Sequence, residues 1–294
     1  MTARAAIAVP VLLAGLCDDA AVFPPGNLPL ADALPAHRAH RASGHAGLVG
    51  AFVVSAASLG EVAGLVDGEP PRSLDVAVTV AEPAAVGAAL AAVDRISALR
   101  VSAIEVAVPE HVATGEAVAT LDATLAGRDG VTAFVELPRD GRRPDLIRAL
   151  SGTAYLAKLR TGGVRAELYP DGGELAAAVV ATVRAGLSFK ATAGLHHAVR
   201  NTDPATGFEQ HGFLNLLTAV DAAIAGAGEA EVEQLLAERT PDAVAARARA
   251  VADRAPLVRQ RFRSIGTCSI VEPLVELVAL GLLDHPEHRG GDPR

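Results

Sequence analysis

Only two of the chain's 26 basic residues are lysine, Lys158 in AYLAKLRTGG and Lys190 in LSFKATAGLHH; the rest are arginine. A guanidinium effectively never gives up its proton, whereas a crowded or buried ammonium does, so a site that needs a neutral amine uses lysine. Each lysine closes an apolar run and is followed by a Thr–Gly turn, as at the carboxyl end of a parallel strand. Two lysines brought together destabilise one another as cations, which lowers the pKa of at least one. A neutral lysine attacks carbonyls and condenses to a protonated Schiff base, an electron sink for carbon–carbon cleavage or α-proton removal. The plain alternative, that two exposed lysines were retained by chance, leaves their shared context unexplained.

Two carboxylates stand inside apolar runs, Glu105 in AIEVAVP and Glu136 in AFVELP. An unpaired buried carboxylate costs several kcal/mol, about 4 or more, so both are expected to face the lysines, as proton-transfer groups or as structural ion pairs. Lys158 and Arg160, two apart, share a strand face. His196, His197 and His211 fall in one segment, GLHHAVRNTDPATGFEQHGFLN. With Glu105 or Glu136 they offer a second reading, a divalent-metal hydrolase or lyase. Adjacent histidines do not share a helix face and no HExxH accompanies them, so hydrogen bonding to substrate or loop is preferred and neither a metal nor a cofactor is expected. Cys268 reads as a small buried thiol.

These residues need elements to hold them at one place. Eight apolar runs, 18–23, 48–54, 74–80, 101–108, 131–137, 153–159, 187–191 and 261–265, alternate with helical patterns at 31–43, 58–66, 83–97, 115–126, 144–150 and 174–185. An insertion after the seventh run holds helical stretches at 212–225, 229–238 and 241–254, and a helix at 271–282 closes the chain. Eight such units imply a TIM (β/α)8 barrel, α/β in class, with an N-terminal helix at one end and a helical insertion between strands 7 and 8. No GxGxxG follows the first run to favour an open dinucleotide-binding sheet. Residues 1–284 read as a single barrel domain and 285–294 as a solvated tail. The strand ends then carry Asn27, Ser55, Thr79, Glu105, Glu136, Lys158 with Arg160, Lys190 with Thr192, and the stretch 264–269. The segment 196–215 is expected to lie over the mouth as a lid with its histidines inward.

Composition narrows the function classes. A net charge of −8 with 3% aromatic residues and no Trp excludes a basic, base-stacking nucleic-acid surface. The first sixteen residues hold a short apolar run broken by Pro10, without a clear cleavage site, and no stretch is long enough to span a membrane. Two cysteines, Cys17 and Cys268, make no disulfide framework. A cytoplasmic protein acting on a small anionic molecule is expected, without membrane or nucleic-acid partners; assembly into a homo-oligomer is left open.

KLRTGG, then FKATAGL, then RSIGTCSIVEPLVELVALGLL in the second half of the chain resemble the deoxyribose-phosphate aldolase branch of the class I aldolase barrels. The resemblance implies a lyase in which Lys158 forms the Schiff base and Lys190 tunes it. Thr161, Gly162, Gly163, Thr192, Gly194, Gly266, Thr267 and Ser269 would then bind a phosphate or other anion, alongside Arg160 and the histidines. Three departures stand out: Arg160 replaces a small hydroxyl residue, the proton-relay Asp has no counterpart other than Glu105 or Glu136, and the insertion from 196 to 259 is longer. A catalytically silent metabolite-binding barrel remains a third reading.

Overall fold

A computed structural model describes residues 8–284. Eight parallel strands close into a barrel whose order returns to its start: Cys17–Asp19, Val49–Ser55, Leu74–Val80, Leu99–Val106, Thr132–Glu136, Leu156–Arg160, Phe189–Thr192 and Phe262–Thr267, the last pairing with the first. These are the first to eighth barrel strands below.

Closure divides the apolar residues into two cores. Outward positions such as Phe52, Val76, Ile104, Val135, Ala157, Phe189, Phe262 and Ile265 pack under the helices in one large cluster. Inward positions Val53, Ala77, Ala103 and Phe134 form a separate small cluster inside the barrel, flanked by Ala20, Phe23, Ala51 and Leu156. Period-two alternation therefore splits each strand between an oily outside and an inside that is apolar on the second to fifth strands and charged on the first and the fourth to seventh.

Several expected boundaries shift. The first strand is three residues long and ends at Asp19, where the sequence suggested a run to Phe23; a turn from 21 to 26 takes the remainder. The third helical pattern is a 3-10 turn at Pro83–Ala85 followed by a helix, Val86–Asp94. The helical insertion is present as Phe213–Ile224, Glu229–Ala237, Pro241–Ala250 and Ala255–Arg261. A two-stranded antiparallel ribbon, Asn201–Thr202 with Glu209–Gln210, precedes it. In place of an N-terminal helix, residues 11–15 form turns; residues 1–7 and the expected tail at 285–294 lie outside the described residues. Among the described residues no helix is long and apolar enough to cross a membrane.

Candidate active site at the barrel mouth

Registry brings the charged residues to one level. Lys158 pairs across the sheet with Glu136 on one side and with Lys190 on the other, and Glu105 stands beside Phe134 one strand further on. Because successive strand residues alternate faces, Lys158, Lys190, Glu105 and Glu136 all point inward near the carboxyl end. The four titratable groups read from the sequence therefore meet.

Their pairing differs from the expected lysine-to-lysine contact. Glu105 sits between the two ammonium groups, with Lys190 Nζ donating to Oε1 at 2.6 Å and Lys158 Nζ to Oε2 at 3.3 Å. Lys158 also pairs with Glu136 at 2.9 Å, and Lys190 with Asp18 at 2.6 Å. Arg160 Nε lies 3.8 Å from Glu136. Three cations and three carboxylates thus alternate in one chain, and the interior holds no net charge. Lys190 is fully buried, its ammonium 5.3 Å from the centre of the Phe134 ring.

Burial alone would lower the pKa of both lysines, but the facing carboxylates outweigh it: Glu136 and Glu105 raise Lys158, and Asp18 and Glu105 raise Lys190. Burial would likewise raise Glu105, yet Lys190 and then Lys158 hold it down at about 2. Burial opposes, and Lys158 and Arg160 overcome it, to lower Glu136. Both lysines are ammonium ions and both glutamates carboxylates at neutral pH. The expectation of a neutral, nucleophilic Lys158 is corrected here. The carboxylate between the amines cancels the repulsion on which the Schiff-base mechanism depended.

Asp18 completes the network, and the sequence reading missed it. Its Oδ2 accepts from Lys190 and, at 2.6 Å, from Ser264 Oγ, while Oδ1 accepts from the backbone N–H of Ala51 at 3.1 Å. A side chain at Gly50 would collide with that carboxylate, so the neighbouring strand carries glycine there. The first strand had been drawn to end at Phe23, which made Asp18 look like its start. The tandem aspartates of CDD in an apolar setting were the available signal.

Above the network lies a cavity of about 590 Å³. Glu105, Glu136, Lys158, Arg160 and Thr192 form one wall, and Phe23, Val53, Val80, Val164 and Leu168 supply apolar surface. Lys190 and Asp18 are not among the lining residues. Of the alternating charges, Glu105, Lys158, Glu136 and Arg160 thus reach the cavity, with Lys190, Asp18 and Ser264 behind them.

The expected anion-binding residues divide between the mouth and the scaffold. Gly163, Thr192, His196 and Gly266 line the cavity, as does Arg160. Thr161 is wholly buried and its hydroxyl donates to the carbonyls of Thr192 and Ala193, tying the two turns together. Gly162 and Gly194 pack against each other and beneath Tyr169: a Cβ on Gly162 would stand 3.0 Å from Gly194 Cα and 2.8 Å from the tyrosine ring. Thr267 Oγ1 donates to Ser269 O, and Ser269 Oγ accepts from Glu272 N at the start of helix Val271–Ala279. The Thr161 and Thr267 hydroxyls bond within the protein, and none of these five residues is part of the cavity wall.

The histidines diverge. His196 lines the mouth and touches Cys268, with Nδ1 3.0 Å from Sγ. His197 pairs with Glu276 at 2.5 Å and lines a separate cavity on the flank. His211 is buried, with Nε2 donating to Pro170 O at 2.8 Å and Nδ1 beside Arg200 at 3.2 Å. No residue from 197 to 215 lines the mouth, so the expected lid with inward histidines is corrected. Among the described residues no three His, Cys, Asp or Glu side chains are grouped to hold a metal ion, and the proposed histidine–glutamate metal cluster is not formed.

No family model and no curated protein matches the chain. A solved structure described as a 2,5-diketo-D-gluconic acid reductase B aligns over 99% of this chain and 95% of its own, at 12% identity and a TM-score of 0.45. That structure is described as a reductase and not as an aldolase, and at this likeness it says nothing about what this chain does. The aldolase resemblance and the lyase assignment resting on it are corrected by the site itself, where Glu105 lies between the two amines and Lys158 stays an ammonium ion rather than a nucleophile. What stands is a closed α/β barrel with a charged mouth.

Proposed function

We propose that the barrel catalyses proton abstraction beside the carbonyl of a small anionic compound, without covalent attachment to lysine. The observation that carries this reading is the Glu136–Lys158 pair: an ionised carboxylate 2.9 Å from an ammonium, both lining the cavity. Glu136 is the base. As it takes the α-proton it becomes neutral, and the negative charge appears on the substrate oxygen, which turns to the same ammonium. Charge moves around Lys158 without changing the total, so stabilisation is greatest where the enolate forms and no reorganisation of solvent is required. Glu105 holds Lys158 at that position and, with Glu136, keeps it charged against the opposing effect of Lys190.

Arg160 supports the anionic part of the reading. It lines the cavity, is 39% exposed along its side chain, and its contact to Glu136 is loose at 3.8 Å. An incoming carboxylate or phosphate can engage its fork bidentately.

The test is proton exchange. Incubated in D2O with a panel of 2-oxo acids and phosphorylated ketones, the protein is expected to erase the α-proton NMR signal of at least one of them. Glu136→Gln should slow that exchange by about 100-fold or more, the low end for a lost general base. Borohydride should leave no adduct on Lys158. Exchange undiminished in Glu136→Gln ends the proposal.

A further inference from the structure

We propose that Cys268 and His196 form a second reactive pair in the mouth, a thiol with its own base, and that it adds reversibly to the carbonyl carbon of an aldehyde. This goes beyond the proton-transfer reading and does not depend on it, because the pair stands on the turns that follow the seventh and eighth strands, apart from Glu136 on the fifth.

Four features place the two side chains as a functional pair. His196 Nδ1 is 3.0 Å from Cys268 Sγ, within reach for proton transfer between sulfur and nitrogen. Both residues line the 590 Å³ cavity, whereas the other cysteine, Cys17, is fully buried and does not. The neighbouring backbone amides of Gly26 and of Cys268 itself favour the anionic form of the sulfur, against its burial. Gly26 packs directly on the sulfur-bearing residue: a Cβ there would meet Cys268 Cβ at 3.0 Å and Ala21 O at 2.8 Å, so a side chain would displace Cys268.

The turn that carries His196 has an unusual backbone. Ala193, which also lines the cavity, has φ 69°, and Gly194 follows at 72°. A left-handed alanine is disfavoured and persists where its surroundings impose it. Here Thr161 holds the Ala193 carbonyl at 2.6 Å, and the chain leaving this turn delivers His196 to the sulfur.

At rest the pair is neutral. Burial, reinforced by Glu272, pushes the Cys268 thiol up to about 11, and burial lowers His196 against the opposing pull of Glu272. The imidazole is thus a free base beside a protonated thiol. In the addition, sulfur bonds to the aldehyde carbon as the C=O π bond opens, and the thiol proton passes to His196 Nδ1. The imidazolium then returns that proton to the new alkoxide, giving a thiohemiacetal. Every atom of both reactants is retained and no oxidant is required. Glu272, 3.8 Å from Nδ1, stands where it can steady the transient imidazolium.

The experiment is iodoacetamide alkylation of the folded full-length protein, read by peptide mass spectrometry at pH 7, with Cys17 as the internal reference. Cys268 should be labelled while Cys17 is not, and His196→Asn, which keeps a polar group near the sulfur but no base, should slow labelling by about 100-fold. Circular dichroism of the variant checks that it is folded. Glyoxylate, succinic semialdehyde or glyceraldehyde 3-phosphate should protect Cys268 in the wild-type protein. The same protection should persist in Glu136→Gln, which separates this proposal from the proton-transfer reading. Labelling of Cys268 at the same rate in His196→Asn overturns the pair, and protection by none of the three aldehydes overturns the aldehyde assignment.

Discussion

Lys158 and Lys190 do different work although they are neighbours across the sheet. Lys190 is enclosed by Asp18, Glu105 and Ser264 and sees no solvent. Its replacement by Met leaves buried Asp18 without a cation and Glu105 with Lys158 alone, and loss of about 3–5 kcal/mol of unfolding free energy is expected in a urea titration. Lys158→Met should cost clearly less in the same titration, since Glu136 retains Arg160 and access to the cavity, while abolishing any turnover found in the proton-exchange assay. Equal losses of stability would show that the two lysines are interchangeable scaffolding. The lysines and both glutamates were legible as single residues because charge inside an apolar run demands a partner. Which charge faces which was not legible. Reasoning from one lysine to the other predicted a depressed pKa, and Glu105, inserted between them, reverses the sign.

At the scale of elements, the turns after the sixth and seventh strands act as one unit. Thr161 bonds to the second turn's carbonyls, and Gly162 and Gly194 touch beneath Tyr169. Gly162→Ala must push the Tyr169 ring or the Gly194 backbone aside, at an expected cost of about 1–3 kcal/mol. By contrast, Gly60 lies in the helix Leu59–Leu65 with open space around it, and Gly60→Ala should stabilise by about 0.5–1 kcal/mol. Thermal unfolding of the two variants should shift in opposite directions. The sequence signalled glycine-containing turns at both places. It assigned those glycines to a ligand; that they also pack against each other beneath Tyr169 came into view only with the neighbouring turn.

For the whole molecule, the balanced interior predicts how stability varies with acidity. Glu105 has a pKa of about 2 in the folded protein against 4.5 for the free side chain. Its folded value lies below the unfolded one, so its contribution is fully present above about 4.5 and is lost as pH falls toward 2. Glu136 is shifted in the same direction and adds to the loss. The melting temperature should therefore fall steeply across that window. Because Lys158 and Lys190 are raised, their contribution persists through neutral pH and is lost only at strongly alkaline pH. A melting temperature flat between pH 5 and about 2.5 would mean that the carboxylates are not paired as described.

The alternation of strand and helix patterns, read from local periodicity, determined an eight-stranded α/β barrel, because burying one strand face inside and one beneath helices leaves its mark on every second residue. It also placed Glu105, Glu136, Lys158, Lys190 and Arg160 near strand ends. Closure decided the rest. Only when the eighth strand pairs with the first does Asp18 reach Lys190 across 172 positions of sequence, and only then does Cys268 meet His196 while His197 and His211 turn away. Those contacts depend on the register between distant strands and on the exit direction of turns, and no local run of residues carries that information.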